Sequence, residues 1–184
     1  MRLARLAILL ALAALPSAAQ AESAYTDLDL SSCDVLERYE DGGAVMRCQG
    51  YGGIDVVVSE GDARMDVDYG APSGAFETFF AFNGVGETIE WMLDGEGAPY
   101  AAALRFHIDN DGNLAAQALV VSKIGTADAP GCVVGVVDAA ADQANGVARG
   151  LGALAPAFDC TTDKVAIVPG ASELVAGFGG ANNN

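Results

Sequence analysis

The clearest alternation of apolar and polar positions lies between residues 88 and 123. Thr88-Ile89-Glu90-Trp91-Met92-Leu93 steps with a period of two until Asp94-Gly95-Glu96-Gly97-Ala98-Pro99 interrupts it. Tyr100 to Ile108 alternates again, with Leu104, Phe106 and Ile108 on one face and Arg105 and His107 on the other. Asp109-Asn110-Asp111-Gly112-Asn113 then turns the chain into Leu114 to Lys123. A period of two marks strands with one buried face, and connections this short join antiparallel neighbours. The stretch predicts an antiparallel meander with Trp91 in its core.

Weaker patterns flank it. Val35-Leu36 and Val45-Met46 surround Asp41-Gly42-Gly43, the mark of a hairpin. Ile54 to Val58 is a short apolar strand, and Met65-Asp66-Val67-Asp68-Tyr69 predicts a half-buried strand with Asp66 and Asp68 facing water. Cys132 to Val137 is a further strand. The period then changes: Ala144, Val147, Leu151, Ala155 and Phe158 recur at three- and four-residue steps, predicting an amphipathic helix capped by Asp138. Gly146, Gly150 and Gly152 weaken that helix, and Pro156 kinks or ends it. Val165 to Val168 reads as a short edge strand. The expected class is α+β: a mostly antiparallel sheet with one main helix packed on it from the C-terminal half. One domain is expected over 22–170, with a flexible tail over 171–184 (a length of chain that supports a single core).

Residues 1–21 stand apart. Arg2 and Arg5 precede an apolar run from Leu6 to Leu15, and Ala19-Gln20-Ala21 offers a small-x-small cleavage site. This is the pattern of a secretory signal peptide, too short in its apolar part for a membrane span. Export to the periplasm or the extracellular space is expected, with no membrane insertion after cleavage.

Charge narrows the partners. The chain has 184 residues, 9 Lys plus Arg against 25 Asp plus Glu, and a net charge of −16. Losing Arg2 and Arg5 with the signal segment makes it more acidic still. Nucleic acids and anionic membranes both demand clustered cations, so neither is expected as a partner. A basic protein is the partner that electrostatic steering favours. With 52% hydrophobic residues the chain is no disordered acidic tail. Its single His excludes any metal site built on two of them, and no motif asks for a cofactor.

Four cysteines, Cys33, Cys48, Cys132 and Cys160, allow three pairings. Cys33–Cys48 is preferred because the hairpin sets those two strands side by side, and Cys132–Cys160 because it ties the helix end back to the sheet. No C-x-x-C pair suggests redox or metal chemistry.

Three groups of residues carry possible function. Phe76, Phe79, Phe80 and Phe82 crowd a Gly- and Pro-bearing loop that cannot be fully solvated; it either folds over the core or presents an apolar rim to a partner. His107, with Arg105 and Glu90, lies on the polar face of the meander, where a lone His beside a carboxylate is a general-base candidate for a small hydrolase. No G-x-S-x-G or S-x-x-K nucleophile pattern accompanies it. Asp109, Asp111 and Asn113 resemble the opening of a calcium loop. There the glycine stands fourth instead of sixth, and Val120 occupies the position of the final glutamate, so a hairpin turn accounts for them without an ion.

At Gly50-Tyr51-Gly52-Gly53, Val58-Ser59-Glu60-Gly61-Asp62, Gly86-Glu87-Thr88-Ile89-Glu90-Trp91 and Phe158-Asp159-Cys160 the chain resembles a group of small exported bacterial proteins of unknown function. The resemblance implies no activity and brings no catalytic residues. The function expected is a small acidic, non-enzymatic binding or inhibitory module outside the cytoplasm. The alternatives are the His107 hydrolase and a calcium-binding structural protein.

Overall fold

Nine strands of five or more residues pair into two mainly antiparallel sheets stacked face to face. The computed structural model describes residues 22–40, 42–110 and 112–179; residues 1–21, read above as a signal peptide, lie outside them. Along the chain come β1 (Glu22–Asp27), β2 (Asp34–Arg38), β3 (Ala44–Gln49), β4 (Asp55–Gly61), β5 (Arg64–Tyr69), β6 (Thr78–Phe79), β7 (Asn83–Leu93), β8 (Pro99–Asn110), β9 (Asn113–Lys123) and β10 (Cys132–Asp138). Helix α1 (Ala144–Gly152), β11 (Ala166–Ile167), the single-turn α2 (Glu173–Ala176) and β12 (Phe178–Gly179) follow.

One sheet has the order β1-β7-β8-β9-β10-β11, the other is the meander β2-β3-β4-β5, and β6 pairs with β12 as a small ribbon. All pairings are antiparallel except β10 with β11. The main core fills the space between the two sheets. Val56, Val58, Val67 and Tyr69 meet Ile89, Trp91, Leu104, Phe106 and Val120 there. Trp91 is fully buried, stands edge-on to Tyr69 with ring centroids 5.4 Å apart, and donates its indole N–H to Thr26 Oγ1 at 2.8 Å. A second core lies on the opposite face of the six-stranded sheet, where Met92, Ala103, Leu119 and Val137 receive Ala148 and Leu151 of α1. The molecule is therefore three layers, sheet on sheet on helix, and the α+β class holds. Both disulfides form as preferred, Cys33–Cys48 and Cys132–Cys160.

Several local expectations need correction. Asp138 does not cap the helix: it ends β10, and its carboxylate accepts from the Ala140 and Ser172 amides, while α1 begins six residues later. The glycines that weaken α1 also permit its docking, because a Cβ on Gly152 would strike the Met92 thioether. Nor does the fold end at residue 170. Val175 and Phe178 are buried against the main core, and Phe178 meets Phe79 edge-on at 5.1 Å. Two apolar side chains in the right places dock this segment, which hydropathy along the chain underrates.

Candidate functional site

Strand β5 alternates as its sequence requires. Met65, Val67 and Tyr69 point into the core, so Arg64, Asp66 and Asp68 share the outer face of the four-stranded sheet. The alternation predicts that face open to water; instead it is covered. Residues 70–77 fold back over it and leave Asp66 only 4% and Asp68 only 9% exposed. The Ser73 amide donates to Asp68 Oδ1 at 3.2 Å, and the Ala75 amide to Ser73 Oγ at 3.0 Å. Glu77, also buried, donates its backbone N–H to the Asp66 carboxylate. Its own Oε2 accepts from the Val133 amide at 3.1 Å.

Between this segment and the sheet runs a cleft of about 590 Å³. Asp66 and Asp68 lie at its floor, Val45 and Val57 line the sheet side, and the half-exposed rings of Tyr39 and Phe76 flank it. Burial pushes the Asp66 carboxyl up to about 8, with the charges of Asp68 and Glu77 adding to the effect. Burial also raises Asp68, to about 6; the Ser73 amide opposes the shift and Glu77 reinforces it. The pair thus keeps a proton near neutral pH, because water cannot solvate two adjacent charges there. Among the described residues, ion pairs join Arg47 to Asp34, Arg64 to Asp62 and Arg149 to Glu90, and none reaches Asp66 or Asp68. Such a floor can exchange a proton or receive a cation.

The polar face of the meander is arranged differently from a catalytic group. Glu90 Oε1 accepts from Arg149 Nε at 2.6 Å and from Ser23 Oγ at 2.7 Å, which fastens α1 to the sheet. Arg105 donates to Gln117 at 3.0 Å. His107 stands opposite Gly84 and Gln117, whereas Glu90 stands opposite Ala103. Four residues of β8 separate the two positions, roughly 13 Å along a strand. The structure does not bring His107 and Glu90 together.

The four phenylalanines divide. Phe79 is buried against Phe106 and Phe178, while Phe76, Phe80 and Phe82 are exposed, Phe80 most at 73%. Only Phe76 joins the cleft. In the β8–β9 hairpin Asp109 pairs with Leu114 and Asn110 with Asn113, and Asp111 lies outside the described residues. Among the described residues no three His, Cys, Asp or Glu side chains are grouped to hold a metal.

Asp66, Asp68, Glu77 and Tyr39 were not singled out from the sequence. The available signal was the aromatic loop directly after β5, which had to cover something, and the face beside it carries the two aspartates. No protein-family model, curated protein or solved structure matches the chain.

Proposed function

We propose that the chain is an exported, acidic, non-enzymatic binding module for a basic protein, and that its cleft receives a lysine side chain of that partner. What carries this reading is the buried carboxylate pair at the floor of an apolar cleft flanked by Tyr39 and Phe76. A lysine is an alkyl stem ending in a point charge. Val45 and Val57 suit the stem, the rings of Tyr39 and Phe76 suit an ammonium passing between them, and the carboxylates supply the countercharge that burial withholds. The net charge of −16 supports it further, since it steers basic partners toward the surface. Two disulfides and the segment 1–21 fit an oxidising compartment outside the cytoplasm.

Calorimetric titration with a short lysine-containing peptide, and with the same peptide acetylated on the lysine Nζ, tests the proposal. Binding is expected for the free amine alone. Asp68→Asn should abolish it, and Tyr39→Ala should weaken it by about fivefold, the worth of one exposed cation–π contact. Equal binding of the acetylated peptide, or an Asp68→Asn variant that binds as wild type does, would refute it.

A further inference from the structure

The segment that closes the cleft is tied down at both ends by backbone bonds and in its middle by carboxylates. At its root the Gly70 amide donates to Asp55 O at 2.8 Å, and the Gly131 amide to Ala71 O at 3.0 Å. Gly70 has φ +75°, and a Cβ there would collide with the Gly125 carbonyl, so this root admits no side chain. At the far end β6 is held by its pairing with β12. Between these anchors the amides of Ser73 and Glu77 reach down to Asp68 and Asp66, and the Glu77 carboxylate takes the Val133 amide.

We propose that residues 72–77 are a proton-gated strap, closed over the sheet while the Asp66–Asp68 pair beneath it holds a proton and lifted when the pair gives it up. This is a regulation of the cleft described above, and its use in partner binding rests on that reading.

The groups around the pair bias it in one direction. Arg64, on the same strand, is engaged by Asp62, with 2.9 Å between Nη2 and Oδ2. Glu60 and Asp62 from the β4–β5 end add negative charge along the cleft, and Tyr39, just past β2, contributes an aromatic ring. Tyr69, buried next to Asp68 on the strand, has its hydroxyl pushed up by burial and by both aspartates, so it stays neutral and adds no negative charge. Arg47 on β3 is paired with Asp34. Strand β10 contributes the Val133 amide to Glu77. Ionisation strengthens each amide–carboxylate bond but places a further charge where water cannot follow. Burial is the largest influence on both aspartates, so desolvation outweighs the gain and any state that lets water in is favoured as protons leave.

Amide hydrogen exchange on the whole oxidised protein, without partner, reads the strap directly. After correction for intrinsic rates, protection at 73–77 is expected to fall by about tenfold or more between about pH 6 and about pH 9, one decade for each unit of linked titration. Amides of β8, which open only with the whole fold, should stay far better protected than those of the strap at every pH. Asp66→Asn leaves an acceptor for the Glu77 amide but no proton to lose, and it should flatten the response. Asp68→Asn, which removes the other raised carboxyl and should shrink the response, serves as the second variant if Asp66→Asn folds poorly. Protection that does not change with pH in wild type, or the same fall in both variants, would overturn the strap. A strap that responds while the lysine peptide fails to bind would remove the proposed partner and leave the gate standing.

Discussion

Asp66 shows how much a single residue's surroundings decide. In a solvated strand it is a surface charge; under the 70–77 segment it is a carboxyl that resists ionisation up to about pH 8. Its folded value lies above the unfolded one, so the native state binds the extra proton. The stability this contributes is complete below about pH 4 and is lost as pH rises through about 6, for Asp68, and about 8, for Asp66. Asp138 works in the opposite sense. Burial opposes ionisation there, but the Ser172 and Ala140 amides outweigh it, and its stabilisation is lost as pH falls. Wild type is therefore expected to melt several degrees lower at pH 9 than at pH 6, a loss of a few kcal/mol. Asp66→Asn should remove most of that difference. Circular-dichroism melts with disulfides intact check it; parallel pH profiles for the two proteins would contradict the assignment.

At the scale of elements, periodicity located the long strands well and the ends of the chain poorly. β8 and β9 fall where alternation placed them, because each is long enough for a face to be read several times; β7 ends at Leu93 as read but begins at Asn83, five residues before the alternation at Thr88. β6, β12 and α2 are two to four residues long and carry no period of their own. They form because Phe79, Val175 and Phe178 have a shared place in the core. Phe178 is 3% exposed, and its removal leaves a void against Phe79. Phe178→Ala should cost about 3 kcal/mol in urea unfolding, near the low end for a buried aromatic. A cost below about 0.5 kcal/mol, typical of a surface position, would show that the segment behaves as a loose tail.

For the molecule as a whole, the two sheets and α1 leave one face of the four-stranded sheet without a layer of its own. The 70–77 segment covers part of that face, and the cleft is what remains between segment and sheet. The chain as a whole is strongly acidic, with 25 acidic residues against 9 basic. A basic partner should accordingly associate faster at low salt. Raising ionic strength from about 0.02 M to about 0.5 M is expected to slow the on-rate at least tenfold and to change the off-rate much less. Stopped-flow association of a lysine-rich protein measures this, and a salt-independent on-rate would argue against steering.

The order of apolar and polar residues by itself determined which side chains share a face, where the central meander turns, and that the β2–β3 hairpin brings Cys33, just before β2, next to Cys48 on β3. Those are local or nearest-strand properties, set by a backbone period of two and by turn residues. It did not determine what lies against each face. Asp66 and Asp68 point outward as the alternation requires, yet they are buried because a loop rooted at Gly70 and returned to the core through Phe79 crosses above them. Only the tertiary structure settled that, since whether an outward face meets water or another part of the chain depends on contacts that the face's own sequence does not encode.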